Sequence, residues 1–554
     1  MAVPMPILKT ASHLLFSFYR AARKIRNFFF HHRNPSRLNQ HQLPSISSCR
    51  LEGRKNYSLL FNFHNSLLRT KSLFSFFMLV AFEGGGLFKA ILLLLVYPII
   101  LLLGPNSEPA LRVMVFVTFC GLKCSDMNIV VRAVLPKIYT EEIDRRIYEV
   151  ALAAGKRVVL TSLPKLMVER FVEECFGDQT QVFGPELEVV GGKYFTGRFA
   201  GGGTVAERML AVKNRFGEEK ADVGLLGLSD LNDQLLIPCS KEVYIVTKEE
   251  PNSINSTRTS ATAATDASAT NIPREKYQRP PIFHDGRLAF LPTPSASLCL
   301  VLYLPFATLL SILRILTGLL LPYSLCPPLG AALGVHFRVI QHRPLSSSSS
   351  SPSPSPSGVL YVCTHRTLLD PIFLSHALFR PIPVVTYSLS RISESISPIP
   401  TVRLTRNRLS DSHTMRRLLA AGNLAVCPEG TTCREPYLLR FSPLFAELAD
   451  DIEPVAIEAH CSMFYGTTAT GMKSLDPIFF FMNPRPSYQI SFLGRVPKEK
   501  TVAGGWSAVD VANRIQRELA EELGFQCTDL TRRDKYLLLA GTDGAVPDSS
   551  PEES

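Results

Sequence analysis

Val359-Leu360-Tyr361-Val362-Cys363-Thr364-His365-Arg366-Thr367-Leu368-Leu369-Asp370-Pro371 is the stretch that decides how the C-terminal half of this chain folds. The apolar run Val359–Cys363 predicts a strand. Asp370-Pro371 predicts a helix start, with Asp as N-cap and proline at the first helical position, where its missing N–H costs nothing. A strand turning into a helix places His365 and Asp370 on the connection. Histidine can remove a hydroxyl proton near neutral pH, and a neighbouring carboxylate fixes its tautomer and supports its charged form. On one helix two residues five apart diverge by about 140°, so the pair needs the turn to meet. A helix cap at Asp370 beside an ordinary loop histidine accounts for the same residues.

Working outward, further strands are predicted at Pro383–Thr386, Ala425–Cys427, Pro454–Ile457 and Tyr488–Phe492. Helices are predicted after Asp370, after Asp411 and over Ala508–Glu522. The alternation indicates an α/β layered domain. Arg403, Arg406 and Arg408 cluster in Thr401–Arg408, and guanidinium groups bind phosphate oxygens bidentately. In an extended segment Arg406 and Arg408 would share a face and Arg403 would point away; a solvated basic loop is the alternative. Cys427-Pro428-Glu429-Gly430-Thr431-Thr432-Cys433-Arg434 follows a short strand, and its glycine permits close backbone approach to a ligand. A plain strand-to-loop turn fits as well. The spacing of Cys363, His365, Cys427 and Cys433 matches no usual zinc site. A base, an anion site and a Gly-containing turn, in that order, point to acyl transfer onto a hydroxyl of a phosphorylated acceptor.

The chain has 554 residues, 46% hydrophobic and 19% charged, with a net charge of +11. That length accommodates two or more domains. The charge favours an anionic partner such as a phosphate substrate or a membrane surface. It does not favour nucleic acid, because the basic residues are dispersed and no nucleic-acid-reading motif is present. Twelve cysteines without a regular framework indicate a reducing compartment. Residues 1–50 contain no acidic group, and Lys9, Arg20, Arg23, Lys24 and Arg26 alternate with apolar residues. They read as a targeting or surface-lying amphipathic segment, or as a basic tail.

Two apolar regions stand out, Phe74–Leu103 with a continuation to about residue 121, and Leu288 to about Val335. Each holds a stretch near the ~20 residues a bilayer span needs. Glu83 and Lys89 flank the first core, while Pro305, Arg314 and Pro322 interrupt the second, so re-entrant hairpins or interfacial helices compete with simple spans. The expected division is residues 51–248 as one α/β domain interrupted by 74–121, a linker at 249–287, a membrane-associated region at 288–335, a second α/β domain at 336–540 and a polar tail at 541–554.

These motifs together resemble the glycerol-3-phosphate acyltransferase superfamily, and within it the land-plant sn-2 type. The resemblance rests on His365–Asp370, Thr401–Arg408, the extended Pro428–Phe441 motif, Glu453–Ile457 and Phe464-Tyr465-Gly466-Thr467-Thr468. It implies that His365 is the general base and Asp370 orients it. It implies substrate-binding roles for Arg403, Arg406, Arg408, Glu429, Gly430, Thr431 and Arg434. The hydroxyl would attack acyl-CoA directly, with acyl-CoA as co-substrate and no cofactor or metal.

Plant members of the family carry an N-terminal haloacid-dehalogenase-like domain, and Ser58–Asp233 resembles it. That fold places Asp-x-Asp at the end of its first strand; here the positions are Asn62 and His64. Thr161, Lys213, Asp230 and Asp233 correspond to the remaining site. Asparagine cannot form an aspartyl-phosphate, so the resemblance implies an inactive phosphatase and a product, 2-acyl lysophosphatidate, that keeps its phosphate. The expected architecture is a Rossmann-like haloacid-dehalogenase domain with a membrane-associated helical insertion, followed by an α/β glycerolipid acyltransferase domain. Asn62 and Thr161 must meet in one domain, so the first apolar region must cross a bilayer an even number of times or not at all. The family implies the endoplasmic reticulum and a role in cutin, suberin or pollen-wall lipid; the N-terminus leaves a mitochondrial membrane open. A lysophospholipid acyltransferase and a non-catalytic membrane scaffold are the competing readings.

Overall fold

The computed structural model describes residues 43–49, 56–70, 72–177, 179–203, 219–227, 237–246, 283–341, 358–387 and 391–543, with 20, 207, 210 and 212–214 besides. Two compact units emerge. One is built from the described residues up to 246 together with Leu291–Leu300, and the other from Phe283–Phe290 and the residues from Val301 onward.

The first unit is organised on a five-stranded parallel sheet. Its strands are β1 (Ser58–Asn62), β2 (Lys156–Leu160), β3 (Thr180–Phe183), β6 (Ala221–Gly227) and β7 (Ser240–Val246), in the order β3-β2-β1-β6-β7. Between β3 and β6, β4 (Leu187–Val190) and β5 (Tyr194–Phe199) form a separate antiparallel hairpin. β1 reads Ser-Leu-Leu-Phe-Asn with its last four residues buried, as a central parallel strand covered on both faces requires. Register pairs Asn62 with Leu160, so Asn62 and Thr161 lie side by side at the carboxyl edge.

The segment between β1 and β2 is helical: α1 (Phe74–Leu103), α2 (Glu108–Phe119), α3 (Cys124–Ala133), α4 (Leu135–Glu142) and α5 (Arg145–Ala153). α6 (Lys165–Phe176) follows β2. α1 is not a straight rod. Gly86 leaves the helix at φ 77°, ψ 179°, in the left-handed half of φ space that glycine enters freely. A straight helix would separate Phe74 from Tyr97 by about 35 Å, yet their rings lie 4.6 Å apart. The chain therefore reverses at Glu83-Gly84-Gly85-Gly86, and the first apolar region is a helical hairpin. Its first arm is buried from Phe74 to Ala81, whereas Phe88, Leu92, Leu95, Ile99 and Leu103 form an exposed apolar stripe on the second.

The second unit contains a seven-stranded sheet. The strands are β8 (His336–Gln341), β9 (Leu360–Cys363), β10 (Val384–Thr386), β11 (Thr401–Arg403), β12 (Leu424–Val426), β14 (Ile452–His460) and β15 (Ser487–Phe492). Their order is β11-β10-β12-β9-β14-β15-β8, parallel except between β14 and β15. β13 (Tyr437–Leu438) and β16 (Gln526–Cys527) pair separately. β9 is central, and its alternating side chains feed two cores: Leu360 and Val362 on one face, Val359, Tyr361 and Cys363 on the other. α7 (Pro294–Leu320) begins in the first unit and runs into the second, whose other helices are α8 (Cys326–Ala332), α9 (Asp370–Ala377), α10 (Arg391–Ile396), α11 (Arg408–Ala421), α12 (Asp476–Phe481), α13 (Ala508–Leu523) and α14 (Arg532–Ala540).

α1 and α7 are both long and apolar enough to cross a membrane by length and composition. α7 passes through Pro305 and Arg314 without interruption and ends beside Pro322, so two of the three expected breaks are absent. Arg314 is accommodated because its guanidinium donates to the carbonyls of Leu333, Phe481, Asn483 and Pro484, the last three beyond or at the end of α12. Free carbonyls at a helix C-terminus carry negative partial charge. Residues 283–290, taken from sequence as the end of a linker and the start of the membrane region, instead belong to the second unit. Leu288 pairs with Phe464, and the Ala289 N–H bonds to the Met463 carbonyl.

Candidate active site

The β9–α9 connection holds His365 and Asp370 together. His365 Nδ1 lies 3.0 Å from Asp370 Oδ2. Asp370 was expected to be an N-cap, but it is the first residue of α9 and its carboxylate turns away from the helix. It accepts instead from the N–H of Arg366 at 2.6 Å, the N–H of Thr367 at 2.9 Å and the hydroxyl of Tyr488 at 2.9 Å. The Tyr488 hydroxyl also meets Thr367 Oγ1 in a short contact. The Tyr488 ring stacks on Phe373 at 3.9 Å and 14°. Asp370 is fully buried, so these donors replace water and fix both carboxylate oxygens. With Nδ1 held by the carboxylate, Nε2 is the imidazole atom left for chemistry.

The Pro428–Cys433 loop clasps the backbone of His365 from both sides. Glu429 Oε1 accepts the His365 N–H at 2.8 Å and Oε2 accepts the Leu439 N–H at 3.0 Å. The Cys433 N–H donates to the His365 carbonyl at 2.7 Å. Glu429 is 3% exposed; burial raises its carboxyl pKa, and the two N–H donors pull the other way. Gly430 takes φ 69°, and a Cβ there would meet open space, so the left-handed turn rather than crowding calls for glycine. Thr432 Oγ1 pairs with Thr467 Oγ1 at 2.6 Å. Burial also pushes up the thiols of Cys363, Cys427 and Cys433, which makes them poor nucleophiles at neutral pH. Among the described residues no His, Cys, Asp or Glu cluster is suited to a metal.

His365, Glu429, Gly430 and Thr431 line one cavity of about 910 Å³. At its polar end are also Lys473, Arg532 and Tyr536, while Ile315, Leu319, Phe337, Phe373 and Phe481 line an apolar stretch. The volume is that of a site for a large amphipathic ligand.

The arginines are distributed differently from the sequence expectation. Only Thr401–Arg403 is extended, and Asn407 caps α11, so the parity argument joining Arg406 to Arg408 fails after Arg403. Arg403 pairs with Glu394 at 2.8 Å and Arg408 pairs with Glu447; neither lines the cavity. Arg406 sits at φ 67°, its loop held by buried Asp411, which accepts from the N–H groups of Thr405 and Arg406. Arg434 is also away from the cavity wall. It lies over the Tyr465 ring and donates to the carbonyls of Gly286 and Thr467, with Asp285 at 3.8 Å.

Sequence reasoning missed three supports. Tyr488 holds Asp370. Arg366 donates to the carbonyls of Arg434 and Glu435 and lies over Phe525 at 4.7 Å. The Phe283–Arg287 segment straps the extended motif: the His284 N–H donates to Glu435 at 2.7 Å, Asp285 accepts from Ala469 and Thr470, and Arg287 pairs with Asp476 at 2.7 Å. The dense His-Asp-Gly-Arg polarity of that segment, amid apolar neighbours, was the available signal.

In the first unit, Asn62 Oδ1 accepts from the N–H groups of His64 and Asn65 at 3.1 and 3.2 Å. His64 is buried, edge-on to Phe76, with Nδ1 at 3.0 Å from Asn65 Oδ1. Thr161 is buried beside them, its Oγ1 accepting from the Leu163 N–H. Lys213 lies in a short described stretch, residues 212–214, between β5 and β6. It is exposed, and its charge acts on Cys239, immediately before β7. β7 starts level with Ala221, whereas Asn62 lies level with the end of β6, roughly 16 Å along the strand direction. Asp230 and Asp233 lie outside the described residues.

Comparison with known proteins agrees with both units. Residues 58–246 match the glycerol-3-phosphate acyltransferase RAM2-like, HAD-like domain, and residues 346–458 match the acyltransferase domain. The chain is 49% identical to glycerol-3-phosphate acyltransferase 1 of Arabidopsis thaliana over 85% of this chain and 78% of that protein. It is 43% identical to glycerol-3-phosphate acyltransferase RAM2 of Petunia hybrida, over 87% and 96% respectively. Identity to the probable glycerol-3-phosphate acyltransferase 2 of Arabidopsis thaliana is 41%, over 93% and 94%. With a haloacid-dehalogenase-like domain ahead of an acyltransferase domain, the chain belongs to the glycerol-3-phosphate acyltransferase family.

Proposed function

We propose that this protein transfers a fatty acyl group from acyl-CoA to the sn-2 hydroxyl of glycerol-3-phosphate at a membrane, giving a lysophosphatidate. The observation that carries the reading is the His365–Asp370 pair in a cavity with one polar and one apolar end. His365 Nε2 takes the proton of the acceptor hydroxyl as its oxygen attacks the thioester carbonyl. The C–O bond forms, the C–S bond breaks, and the proton passes on to the departing thiolate. Asp370 keeps the imidazole oriented and stabilises its protonated form. The elevated thiols nearby support direct transfer rather than an acyl-cysteine step.

The exposed apolar faces of α1 and α7 support membrane association. Asn62 in place of a nucleophilic aspartate, bonded back to its own loop, supports a product that keeps its phosphate. Endoplasmic-reticulum residence and a role in cutin, suberin or pollen-wall lipid follow from kinship alone. The test compares purified wild type with His365→Ala, using labelled glycerol-3-phosphate and acyl-CoA. Loss of more than about a hundredfold in rate is expected, with 2-acyl lysophosphatidate as product. Equal rates overturn the catalytic assignment, and monoacylglycerol as main product overturns the inactive phosphatase.

A further inference from the structure

The polar end of the cavity is built by segments that no acyltransferase motif above includes. Lys473 comes from the 3-10 turn Lys473–Leu475, and Arg532 and Tyr536 come from α14. The Lys473 ammonium donates to the Tyr536 hydroxyl at 2.8 Å. The Arg532 guanidinium lies over the same ring, 4.8 Å from its centre. Tyr536 is 6% exposed and its hydroxyl also bonds to the side chain of Thr431, which ties this corner to the Glu429–Thr432 loop. Lys535 on the same helix donates to the Thr432 carbonyl.

The wall carries two carboxylates, Glu429 and Asp476. Glu429 is committed to two backbone N–H groups and Asp476 to Arg287. Burial would raise the Tyr536 hydroxyl pKa, yet Lys473, Lys535 and Thr431 together bring it below its ordinary value. Burial lowers the Arg532 pKa, with the Tyr536 hydroxyl and the Asp543 carboxylate acting the other way and the charge of Arg406 adding to the lowering. Cations gathered on the wall of a cavity are stabilised by an anion bound there.

We propose that Lys473 and Arg532, with Tyr536 as their positioning residue, seat a phosphate monoester in the cavity that holds His365. The inference rests on the acyl-transfer reading above and moves phosphate recognition from Arg403, Arg406 and Arg408 to α14 and the turn before α12. Two participants in that reaction carry such a group, the glycerol phosphate and the 3′-phosphate of CoA.

The experiment measures initial rates for wild type, Lys473→Met, Arg532→Met, Lys473→Arg and Tyr536→Phe. Glycerol-3-phosphate is varied at saturating acyl-CoA, then acyl-CoA and its 3′-dephospho analogue at saturating acceptor. Calorimetric titration with glycerol-3-phosphate and with CoA reads binding without turnover. Removing a cation is expected to raise KM and weaken binding of one phosphate substrate roughly 10- to 100-fold, with kcat changed only a few-fold. Lys473→Arg restores most of the affinity. An effect confined to glycerol-3-phosphate assigns the subsite to the acceptor. An effect confined to acyl-CoA and absent with the dephospho thioester assigns it to CoA. Unchanged KM and unchanged binding for both, in variants whose thermal unfolding matches wild type, overturn the proposal. Where the Met variants unfold, Tyr536→Phe, which keeps the ring, decides in the same way. Wild type lacking His365-dependent transfer refutes the acyl-transfer reading, whereas the titrations still judge the subsite.

Discussion

Tyr488→Phe isolates the contribution of a residue that does not line the cavity. The substitution keeps the ring stacked on Phe373 at 3.9 Å and removes only the hydroxyl that donates to Asp370 Oδ1 at 2.9 Å. Asp370 retains the N–H donors of Arg366 and Thr367 and its contact with His365. A hydrogen bond to a charged acceptor is worth about 1.5–3 kcal/mol, and the surviving donors place this one near the lower end. Stability should fall by about 1–2 kcal/mol, a Tm decrease of roughly 2–8 °C for a unit of this size. Rate should fall by about tenfold, expressed in kcat, because the loosened carboxylate serves the imidazole in the transition state rather than the bound substrate. The assay is steady-state acyl transfer below the lowered Tm. The decisive arm is a double-mutant cycle with His365→Ala: once the imidazole is gone, Tyr488→Phe should cost almost nothing further in rate. Full additivity of the two losses, or an effect on KM alone, would refute the idea that Tyr488 acts through Asp370 and His365.

Glu429→Gln replaces one of two carboxylate acceptors with an NH₂ that opposes a backbone donor, so stability should drop by about 1–3 kcal/mol and kcat by more than tenfold; an unaltered unfolding midpoint would count against its role as a loop clamp. Arg287→Ala leaves the buried Asp476 carboxylate without its 2.7 Å partner and should cost about 3–5 kcal/mol in a denaturant titration. The Asp476 carboxyl is pushed up to about 6, first by burial and against the pull of Arg287. Its folded state holds the proton more tightly than the unfolded chain, so its contribution to stability is greatest at low pH and declines as pH rises from about 4 through about 6; Asp476→Asn should flatten that slope. Restoring aspartates with Asn62→Asp and His64→Asp should not release inorganic phosphate from glycerol-3-phosphate or lysophosphatidate, because the side chain at position 62 is tied back to the N–H groups of residues 64 and 65, which would hold an aspartate in the same way; measurable phosphate release would contradict that reading.

The central architecture was legible because it depends on local pattern. Val359–Cys363, Tyr488–Phe492 and Ala508–Glu522 fell within a residue or so of β9, β15 and α13, since apolar runs and amphipathic spacing are properties of short windows. The His365–Asp370 meeting was readable because a strand-to-helix turn brings nearby residues together. What escaped was set by distant partners. Tyr488 is 118 residues from Asp370, and Lys473 is 63 from Tyr536, and neither sits in a pattern that announces its mate. Arg403 and Arg408 looked like ligands for an anion because sequence does not display Glu394 and Glu447 beside them. The break expected at Arg314 failed for the same reason: the carbonyls that receive its guanidinium are supplied 19 and 167–170 residues away. Gly86 was overlooked as a reversal because hydropathy averages over a window and discards a single dihedral angle.

That reversal bears on how the protein is made. β1 leaves the ribosome before the apolar hairpin, and β2, its partner in the sheet, leaves after it. If this apolar segment enters a bilayer, its 30 residues allow two arrangements. Threaded straight through, it would strand β1 and β2 in different compartments, and the parallel sheet would have no route to assembly. Folded back at Gly86, it returns the chain to the side it came from, and the Phe74–Tyr97 contact shortens the loop that must close before Asn62 can pair with Leu160. The turn that ends at Gly86 thus keeps β1 and β2 within reach of one another.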